Sequence, residues 1–149
     1  MPGHYFLKVL QDKGKLSKYY TQNIDGLERL AGLEEAKVVE AHGTFSSAAC
    51  IKCDEKYDMN ELKEKILFDE DATCKSCGGW VKPNIVFFGE ALPPRFFDEA
   101  ELDCEFCDQL ICLGTSLEVY PFAGKSLYML QLLFYFLPVN FNLAFTRYC

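Results

Sequence analysis

The chain has 149 residues, half of them hydrophobic and a quarter charged, a composition that fits one globular domain and excludes a disordered tail. Fifteen Lys and Arg stand against 22 Asp and Glu, a net charge of -7, so no broad basic surface is left to meet a phosphate backbone and nucleic acid is not an expected partner. The eight cysteines follow an N-terminus without the basic stretch and long apolar core of a secretory signal; a reducing, intracellular setting is expected, where closely spaced thiols read as metal ligands before disulfides.

Tyr5, Phe6, Val9 and Leu10 recur at helical spacing ahead of Gly14, which predicts a first helix. Residues 16–21 form a short aromatic-rich run that suits a strand. Residues 24–33 carry Leu27, Leu30 and Leu33 on one helical face, and 38–41 suit a second strand. Strand, helix, strand in succession argues for parallel strands joined by a crossover helix, an α/β fold. From 46 to 80 the sequence turns polar and cysteine-bearing, with a short helix expected over 60–66, and reads as an inserted module. The apolar runs 85–89 and 109–114, each ending at glycine, fit buried strands that resume the first layer.

Cys50-Ile51-Lys52-Cys53 and Cys74-Lys75-Ser76-Cys77 are two C-x2-C pairs separated by 20 residues, the spacing of a structural zinc site. Four thiolates satisfy a tetrahedral ion and leave no position open for water. Cys104-Glu105-Phe106-Cys107 is a third pair with no partner pair; with Phe106, Leu102 and Leu110 around it, it reads as buried thiols on a helix packing against the sheet. Cys112, inside an apolar run, reads as core. Gly124-Lys125-Ser126 imitates the end of a phosphate loop, but Val119 stands where that motif requires its first glycine. His42, within Glu40-Ala41-His42-Gly43-Thr44, falls just past a strand end, where open α/β sheets bind ligands, at the same edge as residues 21–26.

Taken together, Tyr20-Thr21-Gln22-Asn23-Ile24-Asp25, Glu40-Ala41-His42-Gly43, the two cysteine pairs, the run from Lys82 to Glu90 and Gly114-Thr115-Ser116-Leu117 resemble the sirtuins, the NAD-dependent protein deacylases. The resemblance runs in order from His4 to Ser126 and is closest to the eukaryotic branch that includes cytosolic and mitochondrial deacetylases. It implies a partial Rossmann-like parallel sheet over 1–45 and 81–126, a small zinc-binding module over 46–80, and an atypical apolar tail over 127–149.

The resemblance also implies roles. In the family the acyl oxygen attacks the ribose C1′ as nicotinamide leaves, and a neutral histidine then deprotonates a ribose hydroxyl. His42 matches that base, with Asn23 beside it in the catalytic set. Gln22 and Asn23 would address the nicotinamide ribose, Ile24 and Asp25 the nicotinamide pocket, although Asp25 also suits a helix cap. Gly114, Thr115 and Ser116 match the turn that meets the adenine ribose and phosphates, where glycine permits close backbone approach. Val86 and Phe88 match the apolar acyl-lysine tunnel. Gly89, Glu90 and Val119 match the segments that clamp a substrate peptide as an added strand. The expected cofactors are NAD and zinc, and the expected partners are acyl-lysine proteins.

Two departures stand beside these matches. The family's glycine-rich pyrophosphate loop of Gly-Ala-Gly-x-Ser type does not occur in the sequence, and after Ser126 the expected strand and asparagine-bearing adenine loop give way to unrelated residues. Residues 1–149 alone are therefore expected to bind NAD weakly and to turn over little, and the alternative function is a non-catalytic, zinc-bearing binding module. No charged residue occurs from 127 to 146, yet Gln131, Pro138, Asn140 and Asn142 interrupt that run, and membrane insertion is not expected.

Overall fold

Two three-residue runs, Tyr19–Thr21 (β1) and Val38–Glu40 (β2), are strands because they lie side by side in parallel register, Tyr19 opposite Val38, Tyr20 opposite Val39 and Thr21 opposite Glu40. A computed structural model of the chain describes residues 2–107 and 109–114. The chain divides into two compact units, one up to Pro93 and one from Pro94 onward.

The expected parallel pair is present, and the connection between its strands is a crossover as the strand-helix-strand pattern requires. The helices around it differ from expectation in two ways. The first, α1 (Pro2–Asp12), forms over the expected residues but buries Leu7, which packs with Leu33 and Val38, while Tyr5, Phe6 and Val9 stay exposed. The periodicity located the helix; its buried face turns on where β2 lies. The second expected helix shrinks to one turn, α2 (Leu27–Leu30). Gly26 and Gly32 hold φ of +67° and +90°, left-handed conformations that bound the turn on either side. Leu30 is accordingly 81% exposed, and Leu33 reaches the core only after the chain has left the helix.

The second sheet is antiparallel and runs in the order β4-β3-β5, with β3 at Gly43–Cys50, β4 at Lys56–Tyr57 and β5 at Val81–Ile85. Between β4 and β5 lies α3 (Met59–Leu67), whose start is fixed by Asp58: its Oδ1 accepts from the backbone N–H groups of Asn60 and Glu61 at 2.8 and 2.9 Å. Leu62 of α3 closes a core with Ala48, Cys50, Ala72, Cys74 and Val81.

The apolar run 85–89 is therefore not a buried strand of the parallel layer. The strand is Val81–Ile85, it pairs with β3, and the chain turns at 88–90, leaving Phe87 and Phe88 exposed. In the second unit, α4 (Pro94–Phe106) buries Phe96 and Ala100, one turn apart, and leaves Leu102 and Phe106 exposed, where packing against the sheet was expected of both. Cys107 just beyond it is half-buried. Residues 109–114 carry a single bridge at Leu113 and no strand beyond it among the described residues, and Ile111 and Leu113 are exposed with Cys112 only half-buried. No helix among the described residues is long and apolar enough to cross a membrane. The tail from 127 lies outside the described residues.

Candidate active site and metal centre

The end of β3, the 51–53 turn and the 74–77 turn bring Cys50, Cys53, Cys74 and Cys77 together, with all four Sγ atoms within 4.8 Å of one another. Individual separations are 3.5 Å for Cys50–Cys77, 3.7 Å for Cys53–Cys74 and 3.3 Å for Cys53–Cys77. A tetrahedral zinc with Zn–S bonds of about 2.3 Å needs sulfur atoms about 3.8 Å apart, so the four thiols fit that ion and are too far apart for a disulfide.

The two turns are built alike. Asp54 N–H donates to Cys50 O and Gly78 N–H to Cys74 O; Cys50 N–H donates to Glu55 O and Cys74 N–H to Gly79 O. Asp54 and Gly78, at equivalent places, both hold positive φ, +56° and +68°. In each turn a backbone N–H reaches the first sulfur at 3.4 Å, from Lys52 to Cys50 and from Ser76 to Cys74. These donors favour thiolate: the Lys52 N–H leads in drawing the Cys50 thiol down to about 7, and the Ser76 N–H does the same in direction for Cys74. At Cys53 the Glu55 N–H pulls downward, but Cys77, desolvation, Cys50 and Cys74 outweigh it and push the thiol up to about 12. Four sulfurs this close cannot all hold negative charge without a cation among them. Gly79 lets the chain pass over the cluster, since a side chain there would meet Lys52 Cβ at 2.9 Å and Cys50 Sγ at 3.0 Å.

The second cluster of interest is at the C-terminal edge of the parallel pair, where the loop after β1 and the turn after β2 emerge together. Ala41 N–H donates to Thr21 O at 2.9 Å, and Asn23 N–H to Thr21 Oγ1 at 3.0 Å, which folds the loop back over the strand end. His42 is half-buried, and its Nδ1 lies 3.0 Å from the carbonyl oxygen of Gln22. A carbonyl only accepts, so the ring proton sits on Nδ1. Phe45 N–H reaches Ile24 O at 3.4 Å, and Asp25 Oδ1 accepts from Leu27 N–H at 3.1 Å, an Asx turn just ahead of α2 and not a helix cap, since the N-cap position is Gly26. Gln22, Asn23, Ile24, Asp25 and His42 are thus brought to one edge. The side chain of Asn23 is exposed there.

Val86 joins this edge through its N–H, which donates to His42 O at 2.9 Å. Beyond it the chain is held by Lys82, whose Nζ donates to Ile85 O and to Glu90 Oε2, both at 2.8 Å, and lies 4.5 Å from the Phe87 ring centroid. Phe87 N–H also donates to Glu90 Oε2, at 2.9 Å. The Glu90 carboxyl is held below its ordinary range, first by Lys82 and then by the Phe87 N–H. Phe88 is left fully exposed on the turn that this clasp makes. Gly114 is exposed with φ +65°, and Thr115, Ser116 and Val119 lie outside the described residues.

Periodicity and motif spacing do not single out Arg29, Glu28, Ser46 or Lys82. Arg29 donates from Nη2 to Glu40 Oε2 at 2.7 Å and from Nη1 to Ser46 Oγ at 3.0 Å. Glu28 is fully buried, with no hydrogen-bond partner for either carboxylate oxygen among the described residues. Burial leads in raising its carboxyl above the ordinary range and Glu40 and Asp25 add to it, against the smaller opposing pulls of its own backbone amide first and then of His4. A glutamate in a short helical segment reads as a solvated face; only the packing reveals otherwise.

Residues 1–121 match the family model described as the Sir2 family. Among curated proteins the chain is 53% identical over 123 residues to the NAD-dependent protein deacetylase sirtuin-2 of Danio rerio, which covers 81% of this chain and 32% of that protein. It is 52% identical over 121 residues to the NAD-dependent protein deacetylase HST2 of Candida albicans, covering 81% of this chain and 37% of that protein. The chain therefore spans about a third of the length of these relatives. Among solved structures it is similar to one titled Sir2-p53 peptide-NAD+, with a TM-score of 0.78 and 37% identity over 86% of this chain and 52% of that one.

Proposed function

The chain belongs to the Sir2 family, and on that premise we propose that it carries the histidine side of an NAD-dependent protein deacetylase, which moves an acetyl group from a protein lysine to ADP-ribose and releases nicotinamide. NAD supplies the electrophilic ribose carbon. His42 is the general base: with its proton on Nδ1, Nε2 carries the lone pair that takes a proton from a ribose hydroxyl. Gln22 and Asn23 address the nicotinamide ribose, and Ile24 and Asp25 the nicotinamide. Gly114, Thr115 and Ser116 meet the adenine ribose and phosphates.

Val86 and Phe88 line the path of the acyl-lysine, whose neutral amide and methylene stem suit apolar walls. Gly89, Glu90 and Val119 hold the substrate peptide. Zinc, held by Cys50, Cys53, Cys74 and Cys77, is structural, because a complete set of four thiolates leaves it no place for a reacting atom. The proposed setting is intracellular, where these thiols stay reduced.

The observation that best supports this reading is the 3.0 Å approach of His42 Nδ1 to the Gln22 carbonyl, which ties the base to the loop that addresses the cofactor. The test is an acetyl-lysine peptide assay on the full-length protein carrying these residues, loaded with zinc. Deacetylation that requires NAD and releases one nicotinamide per acetyl group is expected; deacetylation without NAD, or none with it, overturns the proposal.

A further inference from the structure

His42 sits in a two-residue turn between β2 and β3; Glu40 ends β2 directly before that turn, and Ser46 is the fourth residue of β3 beyond it. Both are gripped by one guanidinium. Arg29 Nη2 meets Glu40 Oε2 at 2.7 Å, where the Glu40 side chain is 10% exposed, and Nη1 meets Ser46 Oγ at 3.0 Å. Ser46 is in place for this because β3 is irregular between Gly43 and Ala48: Ser46 N–H donates to Thr44 Oγ1 at 3.1 Å, and the Thr44 and Ser46 hydroxyls lie 2.9 Å apart. Arg29 itself stands on α2, directly after the 22–26 loop whose Gln22 carbonyl faces the imidazole.

We propose that Arg29 is a positioning residue for His42, a staple that fixes the histidine turn to the helix behind the cofactor-facing loop and so keeps the imidazole Nδ1 on the Gln22 carbonyl. The proposal rests on the reading of His42 as the base. The backbone link between loop and β3, from Phe45 N–H to Ile24 O, is long at 3.4 Å, whereas the two Arg29 bonds are short, and one of them is an ion pair with a nearly buried carboxylate. The planar fork of arginine can reach two acceptors in different directions at once; a lysine ammonium on its stem is not shaped to hold both.

The chain has two histidines, His4 and His42, so side-chain ¹⁵N spectra of the zinc-loaded chain resolve each ring. The parent is expected to show His42 above pH 8 with a protonated Nδ1 and a pyridine-type Nε2. In Arg29→Gln, with zinc content and far-ultraviolet circular dichroism unchanged, that signature is expected to be lost to a mixture in which Nε2 carries the proton, the form that imidazoles in water favour. Arg29→Lys is expected to lose it as well. Retention of the parent spectrum in either variant overturns the staple. Should Arg29→Gln fail to fold, the double variant Glu40→Met and Ser46→Ala decides, since it removes both acceptors and leaves Arg29; an unchanged His42 spectrum there overturns the proposal. The readout is a tautomer and not turnover, so a failed deacetylation assay and a failed staple are separate results.

Discussion

A methyl group built on Gly43 lands 2.0 Å from the carbonyl oxygen of Asn84 and 2.9 Å from Ile85 Cα. The residue after the histidine thus lies directly against the β5 backbone, and its φ of +74° is one that L side chains rarely adopt. Both effects oppose any substitution, and the obstacle is backbone rather than a side chain that could swing away.

Gly43→Ala is expected to destabilise the zinc-loaded protein by about 3 kcal/mol, the cost of a strained backbone plus a strand forced aside. Urea denaturation followed by circular dichroism measures it. A loss under about 1 kcal/mol would mean that β5 can retreat without losing the fold.

Zinc removal is expected to melt the three-stranded sheet and α3 together, since Cys50 and Cys74 are both metal ligands and members of the small core around Leu62. In zinc-finger peptides metal binding is worth about 10–16 kcal/mol, more than so small a core supplies. One equivalent of zinc in reduced protein is expected, with affinity falling as pH falls because bound thiols must give up their protons. Less than half an equivalent by elemental analysis sinks the assignment.

His42→Ala in the full-length protein is expected to cut deacetylation by about 10²–10⁴-fold, the usual worth of a general base, while zinc content and thermal midpoint stay with the parent. Activity within a factor of three of the parent would make His42 a structural residue.

Glu28→Gln is expected to stabilise the protein at neutral pH. Burial holds the folded-state carboxyl above its unfolded value of ~4.3, so between the two values the folded chain binds the proton more tightly. Stability from this group is complete below the unfolded value and is lost as pH rises through the folded one. Urea midpoints for parent and variant from pH 5 to 8 should diverge with rising pH; equal midpoints at pH 7 would show that the carboxylate has found compensation.

What the sequence made legible was whatever is encoded locally. Two C-x2-C pairs at knuckle spacing announce four converging sulfurs, and Val38 and Val39 announce a buried strand, since both signals lie within a few residues. Leu30 and Phe88 were misread because their burial depends on partners distant in sequence: Gly26 and Gly32 cut α2 to one turn, and the Lys82–Glu90 clasp turns the chain away before Phe88. The place of His42 at the sheet edge is legible because it follows from the strand end before it. Arg29 escaped because its meaning lies in Glu40 and Ser46, 11 and 17 residues away, and no periodicity links the three.

The strand β3 carries Gly43, next to the histidine, at one end and the metal ligand Cys50 at the other. Seven steps at about 3.3 Å put the two ends roughly 20 Å apart, more than two Debye lengths of ~8 Å at physiological ionic strength. The charge of the metal cluster is therefore largely screened at the imidazole; what joins the two is the β3 backbone, paired to β5 at both ends, Cys50 with Val81 and Gly43 with Ile85, and irregular between Gly43 and Ala48. Cobalt or cadmium, which also take four thiolates in a tetrahedron though with different affinities, should then leave the histidine's environment as zinc leaves it. The ion acts on the chemistry as a rivet acts on a lever, and its element is immaterial so long as the joint is tight.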